Sequence, residues 1–278
     1  MYDRVSRNRP CPICNKPDWC GISKDGSLVI CMRVPSDKKT KNGGWLHRIG
    51  PSSFSYRDTV QKPQESPKNE LDRVDMMTRL ACKYEESAAE KVRELAGMLG
   101  VSEASLRRLN CGWTGREWSF PMRNESEMII GIALRHPSGK KRAVRGSKIG
   151  LFIPERVQAA KELWICEGPT DCAALLDCGL NAIGRQGCNV LMEMIGRFVR
   201  PRQRIVIVAD NDPFKISNIG ERFCPGIDGA KRLARHLKSE ARCSVKVIVP
   251  PKKDVRETLV ALGLTKCRHL LSHLSTTG

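Results

Sequence analysis

The sequence predicts an α/β core with a mainly parallel sheet and helices on both faces, preceded by a β-rich basic subdomain and a small cysteine-rich segment. Three observations carry this. From residue 163 onward, apolar runs alternate with amphipathic stretches: strands over 163–166, 181–183, 204–209 and 244–249, helices over about 170–178, 190–198, 229–238 and 255–262. Such β-α-β order implies parallel strands joined by crossover helices. Before it, "EWSFPM", "MIIGIAL", "KRAVRG" and "GLFIP" are strand-like runs divided by "RNES" and "HPSGKK". The first fifty residues are rich in Cys, Gly, Lys and Arg.

At the start of the chain, "CPICNKPDWC" supplies Cys11, Cys14 and Cys20; Cys31 follows "GSLVI", and "GGWLHR" supplies His47. A C-x₂-C pair beside a turn is a metal knuckle. "WCGISKDGSLVICMR" predicts a hairpin with Asp25-Gly26 as a two-residue turn, which sets Cys20 opposite Cys31. Five candidates compete for four positions. Cys11, Cys14, Cys31 and His47 are the expected set for one structural Zn²⁺, with Cys20 the substitute for His47 or a buried thiol. Trp19 and Trp45 beside this site either cover a tiny core or stack on an unpaired base. Residues 1–50 form this zinc-binding ribbon.

Residues 51–70 carry Pro, Ser, Gln and charge without apolar periodicity and are expected to be a linker. Residues 71–111 form a helical connector. Leu95, Met98 and Leu99 share a face, Gly100 stops that helix, and Ser102 caps the next. Residues 112–160 are the basic β-rich subdomain, 161–265 the α/β domain and 266–278 a C-terminal tail.

The chain has 278 residues and a formal charge of +18, an excess that suits nucleic acid as the partner, ahead of a membrane surface. There is no apolar run near the ~20 residues that cross a bilayer, and "MYDRVSRNRP" has no apolar core of a secretory signal. A cytoplasmic location without a membrane partner is expected. Thirteen cysteines in a reducing compartment point to metal ligands and buried thiols rather than disulfides. No G-x-x-x-x-G-K-[ST] pattern occurs, so a P-loop motor is not expected within these residues.

The sharpest chemical signal lies at strand ends. Glu167 follows the strand 163–166, Asp171 sits in the first turn of the next helix, and Asp210-Asn211-Asp212 closes "RIVIVA". In open parallel sheets ligands bind beyond the carboxyl ends of strands. Two such ends bearing acids concentrate negative charge, which calls for a cation, and hard oxygen ligands suit Mg²⁺ or Mn²⁺. The plain alternative is a pair of helix N-caps.

Taken together, Glu167-Gly168 with Asp171, then "AIG" with Gly184, then Asp210 and Asp212, resemble the signature of the TOPRIM domain. "PPKKDVRETL" resembles its closing K-D element, with Asp254 a further acidic candidate. The segment "REWSFPMRNESEMIIGIALRHPSGKKRAVRGSKIGLFIPERV" resembles the basic subdomain of bacterial and phage-type DNA primases, and the N-terminal cysteines resemble their zinc ribbon, although the second knuckle departs from C-x₂-C.

That resemblance implies template-directed attack of a 3′-hydroxyl on a nucleoside triphosphate, releasing pyrophosphate. Asp210 and Asp212 would hold Mg²⁺ or Mn²⁺, and Glu167 would hold metal or assist deprotonation. Arg123, Arg135, Lys140, Lys141, Arg142, Arg145 and Lys148 would bind single-stranded DNA template and triphosphate, and a separate replicative helicase is a conceivable partner. "PFKISNIGERFCP", after Asp212, is longer than the resemblance implies and is expected over the metal site as a lid or a template contact. Rival readings are a TOPRIM-type nuclease and a non-catalytic zinc/TOPRIM DNA-binding protein. A topoisomerase is disfavoured because Tyr2, Tyr56 and Tyr84, the three tyrosines, all precede the acids.

Overall fold

A computed structural model describes residues 2–40, 43–49, 69–157, 161–187, 191–216 and 222–277. The chain forms two compact units, 1–64 and 65–278. Most of the expected linker, 51–68, lies outside the described residues. None of the described helices is long and apolar enough to cross a membrane.

The first unit is a four-stranded antiparallel sheet of β1 (Tyr2–Arg4), β2 (Gly21–Ser23), β3 (Leu28–Cys31) and β4 (Trp45–Arg48), in that order. The β2–β3 register pairs Gly21 with Ile30 and Ile22 with Val29, so the next step outward brings Cys20 to Cys31, as the sequence implies. The turn is longer than the two residues expected. Residues 24–27 join the strands, and the Asp25 carboxylate accepts from the Ser23 hydroxyl, the Ser27 hydroxyl and the Ser27 amide. An aspartate that satisfies three local donors organises a wider loop, and Gly26 takes the left-handed conformation it needs, φ +73°.

The second unit opens with three helices, α1 (Glu70–Glu86), α2 (Ala89–Leu99) and α3 (Glu103–Arg108). Asn69 caps the first through the Asp72 amide and Ser102 caps the third through the Ser105 amide. Gly100 ends α2 in the left-handed conformation, φ +68°. Then come β5 (Gly112–Trp113), β6 (Trp118–Arg123), β7 (Ile129–Arg135), β8 (Lys141–Ala143) and β9 (Leu151–Phe152). The α/β part follows as β10 (Glu162–Glu167), α4 (Gly168–Asp177), β11 (Ala182–Arg185), α5 (Met192–Phe198), β12 (Arg204–Val208), a small hairpin of β13 (Lys215–Ile216) and β14 (Arg222–Phe223), α6 (Pro225–Ser239), β15 (Ser244–Ile248), α7 (Val255–Leu262) and α8 (Leu264–Thr276).

One mixed sheet of nine strands joins the two halves that the sequence separates at residue 160. Its order is β15-β12-β10-β11-β9-β6-β7-β8, with β5 on β6. The four strands β15, β12, β10 and β11 are parallel, and the rest of the pairings are antiparallel. The short β9 is the seam: Leu151 pairs with both Arg185 and Arg123. Gly150 permits this approach, since a Cβ there would stand 2.6 Å from the Arg123 carbonyl oxygen.

Strand alternation fills both faces. Trp164, Cys166, Val206 and Val208 pack with α2, α3, α4, α7 and α8. Leu163, Ile165, Ile205 and Ile207 pack with α5 and α6. Two-sided burial explains why these strands read as continuous apolar runs. The expected tail, 266–278, is instead mostly α8, whose Cys267 and Leu271 are buried. Its remaining residues are largely polar, which hid the helix from an apolar count. The helix expected from residue 190 begins at Met192, residues 188–190 being outside the described set.

Candidate functional site

The carboxylates are placed by backbone geometry. Glu167 ends β10, and Gly168, φ +79°, turns the chain straight into α4 with Pro169 in its first turn. Gly184 of β11 packs on that turn: a Cβ there would lie 2.4 Å from the Gly168 carbonyl oxygen. Asp210 follows β12, and Gly226 of α6 is pressed on it in the same way, its Cβ position 2.3 Å from the Asp210 carbonyl oxygen. The Glu-Gly and Asp-x-Asp turns are thus each clamped by a glycine from a neighbouring element. Gly226→Ala is expected to cost about 1–3 kcal/mol by overpacking, read as a lowered melting temperature, and to displace the Asp210 peptide.

Asp171 is buried in the first turn of α4 and its Oδ1 accepts from the Arg256 amide at 3.1 Å. Asp254 caps α7, accepting from the Glu257 amide at 2.7 Å. Glu167, Asp171, Asp210 and Asp254 line one cleft of about 530 Å³. Asp212 does not line it, but its charge acts on Glu167 and Asp210.

Their protonation reports crowding. Burial, then the charges of Glu167, Asp171, Asp254 and Asp212, push Asp210 up to about 8. Burial and the Asp254 charge push Asp171 up to about 7, with Arg256 and Lys141 opposing. Burial raises Glu167 as well, against the pull of Arg185. Negative charge in this arrangement is unfavourable until a cation is present.

Cations share the lining of the cleft with these acids. Of the expected cationic residues, Arg135, Lys141 and Arg142 line it, and Lys253 and Arg256, which the sequence analysis left unassigned, join them. Arg123, Lys140, Arg145 and Lys148 do not. Arg123 is tied to the Glu127 carbonyl and the Asn110 side chain, each at 2.9 Å. Lys148 lies 3.8 Å from Glu70, and Arg145 is exposed elsewhere. Arg142 lends one edge to buried Glu117 through two 2.9 Å contacts from Nε, while its side chain stays largely exposed.

Arg185 was also missed. It ends β11 beside Glu167 in register, is wholly buried, and its Nη2 stands 3.6 Å from Glu167 Oε1. Its place directly after "AIG", at the carboxyl end of a parallel strand, was the available signal.

The donor set fits a hard divalent cation. Glu167 Oε1 is buried without a hydrogen-bond partner. The neighbouring acids are all oxygen donors, and the raised protonation of Asp171 and Asp210 is the mark of an uncompensated site. The carboxylates are nonetheless not drawn together as tightly as the cysteines of the first unit, which among the described residues are the one group gathered at metal-binding spacing.

That group is Cys11, Cys14, Cys20 and Cys31, with all four sulfurs within 4.8 Å of one another. It corrects the expected ligand set: Cys20 belongs to it and His47 does not. His47 pairs with Val29 of β3, whereas Cys31 pairs with Trp45, so His47 is displaced along the strand. Its Nε2 lies 3.0 Å from the Val34 carbonyl. Burial pushes the Cys20 thiol up to about 12, helped by Cys11 and Cys14. Cys14 falls to about 7, because the Lys16 amide and the Cys11, Cys20 and Arg33 groups outweigh its burial. Four clustered sulfurs of tetrahedral count suggest a zinc site. Trp19 beside it is 72% exposed, so it does not cover the small core. His47→Ala is expected to retain about one zinc per chain by elemental analysis, and Cys20→Ser to lose it. Zinc lost with His47 and kept with Cys20 altered would reverse the correction.

No family model and no curated protein matches this sequence. Solved structures do. A DnaG primase catalytic domain bound to ssDNA aligns with TM-score 0.53 at 14% identity, over 72% of this chain and 77% of that one. The E. coli primase catalytic core aligns with TM-score 0.51 at 16% identity, over 71% and 79%. The Aquifex aeolicus primase, comprising zinc-binding and RNA polymerase domains, aligns with TM-score 0.53 at 16% identity, over 74% and 61%. The chain has the fold of a DnaG-type primase catalytic core. Within that primase-core fold, the acid cleft lies at the carboxyl ends of the parallel strands β10 and β12, where the sheet meets its antiparallel half through β9.

Proposed function

We propose that the protein is a DNA primase with a TOPRIM-type centre, which makes short primers from nucleoside triphosphates on single-stranded DNA. The observation that carries this is the cleft, whose lining brings strand-end carboxylates and cations together inside a primase-core fold. Mg²⁺ or Mn²⁺ held by Glu167 and Asp210, with Asp212 alongside, would supply charge neutralisation on the reacting phosphates. Lys141 and Arg135 hold triphosphate and template phosphates beside the acids, and Lys253 and Arg256 extend that grip at the start of α7. Asp171, held by the Arg256 amide, adds negative field behind the cation site. The primer 3′-hydroxyl attacks the α-phosphorus and gives up its proton to a neighbouring carboxylate such as Glu167, the new ester bond forms as the bond to the β-phosphate oxygen breaks, and pyrophosphate leaves. Arg185 positions Glu167 from beneath.

The cysteine ribbon holds structural Zn²⁺ and presents Trp19 to template bases. Cutting the chain before residue 71 is expected to leave nucleotide binding and to slow priming with loss of start-site bias. Equal rates from the same starts would remove the ribbon from template reading.

Lys141→Ala is expected to weaken binding of all single-stranded sequences alike and to flatten the slope of log affinity against log salt by about 0.7. Incubation with single-stranded DNA, nucleotides and Mg²⁺ or Mn²⁺ separates the readings. New oligonucleotides support the primase, shortened DNA supports a nuclease, and a gel shift alone supports a binding protein.

A further inference from the structure

The loop after Asp212 carries chemistry that the cleft does not use. Its two ends are pinned together at the acid site: the Cys224 thiol donates to the Asp212 carbonyl at 3.2 Å, and the Cys224 amide donates to Asp228 Oδ2 at 2.9 Å. Between them β13 and β14 pair Lys215 with Phe223 and Ile216 with Arg222. This hairpin exposes its apolar groups. Phe214 is 63% exposed, Ile216 74% and Phe223 36%. The Arg222 guanidinium lies 4.7 Å from the centre of the Phe214 ring.

A two-stranded hairpin gains little stability of its own, and bare aromatic rings on it gain nothing from water. The described residues of the hairpin, 213–216 and 222–223, contain two aromatic rings, two cations and no carboxylate. Aromatic faces interleaved with positive charge match a chain of flat bases joined by phosphates. They match the charge of a strand that a +18 protein attracts.

We propose that this hairpin is a stacking platform for unpaired nucleotides of a single-stranded nucleic acid running past the carboxylate cleft, with Phe214 beside Arg222 on one of its faces and Phe223 beside Lys215 on the other. The identity of that strand as template or nascent primer rests on the primase reading; the binding chemistry does not. Each ring holds a base without regard to sequence, and the cation beside it holds a phosphate. The platform thereby fixes the strand within reach of Asp210 and Asp212, whose carbonyl-side turn anchors the hairpin.

The test is equilibrium binding of a fluorescent oligothymidylate to the full-length protein, by anisotropy, across a salt series without added divalent cation or nucleotide. Phe214→Ala and Phe223→Ala are each expected to weaken binding by about five- to a hundredfold with the salt slope unchanged. Arg222→Ala is expected to weaken it and to reduce the slope by about 0.7. Phe214→Trp, which keeps a ring at an exposed position, is expected to bind as the wild type does, with its indole emission quenched by the oligonucleotide. Binding within about twofold of wild type in the Phe214→Ala/Phe223→Ala double variant overturns the platform, and would leave the rings to a protein partner. Priming by that double variant at the wild-type rate overturns it too, with the primase reading intact. Loss of binding in the alanine variants from a protein that synthesises no oligonucleotide upholds the platform and removes the primase reading instead.

Discussion

Asp210→Asn is expected to reduce oligonucleotide synthesis by at least about a hundredfold, the scale of losing one preorganised electrostatic contact to the reacting phosphates. The same change is expected to stabilise the cation-free protein at alkaline pH. The sign follows from burial and from the four neighbouring carboxylates, which raise Asp210 to about 8. A carboxyl group raised in the folded state contributes stability that is complete below its unfolded value, near 4, and is lost as pH rises through 8. Asp171, raised to about 7, adds to the loss over the same range. An asparagine at 210 carries no charge to be repelled. Its melting temperature in chelator should therefore exceed that of wild type by a few degrees at pH 8, and the difference should shrink toward pH 4. Added Mn²⁺ should raise the melting temperature of wild type much more than that of the variant. Equal melting at pH 8 together with full synthesis would show that Asp210 is not part of a cation site. Asp210 is a cleaner test than Glu167, because removing the glutamate also strips a carboxylate from buried Arg185 and confounds activity with folding.

The second large effect concerns the first unit. Its buried apolar cluster consists of Val5, Ile22 and Val29 with Cys11, Cys20 and Cys31, so half of that core is made of the clustered cysteines themselves. Such a core does not hold four short strands without metal, and structural zinc contributes about 10–16 kcal/mol in small domains of this kind. Stripping zinc, or Cys11→Ser, is expected to collapse the amide dispersion of residues 2–49 in an NMR spectrum. Residues 69–277 should keep theirs, since their packing draws on two separate large clusters. A dispersed spectrum for the ribbon after complete zinc removal would show that its strands stand on side-chain packing alone.

The α/β half was legible because burial on both faces leaves a run such as "LWIC" or "IVIVA" apolar throughout, and because an acid follows each of these two runs at once. The seam of the sheet was not. Two residues of β9 carry it, and nothing in "GLF" distinguishes a bridge between two strands from a subdomain edge. Helix α8 escaped because only one side of it is covered. The zinc ligands show how far register reasoning reaches. The hairpin pairing sets Cys20 beside Cys31 correctly, yet the offset of His47 by two residue pairs along β3 is visible only once β4 is placed. The cationic lining was half legible. Arg135, Lys141 and Arg142 of β7 and β8 line the cleft, whereas Arg123 is consumed by Asn110 and the Glu127 carbonyl, a local pairing that charge counting does not reveal. Arg185 lay in plain view, but that a guanidinium would be wholly buried against Glu167 depends on β9 covering the strand end.

The most direct measurement is transfer of an α-phosphate-labelled nucleotide into product on a defined single-stranded template with Mn²⁺ or Mg²⁺, wild type beside Asp210→Asn. Label should enter short oligonucleotides complementary to the template, with stoichiometric pyrophosphate, and the variant should make almost none. Label that stays in free nucleotide while the template itself is shortened by an Asp210-dependent reaction would contradict the primase account and assign the same carboxylates to hydrolysis.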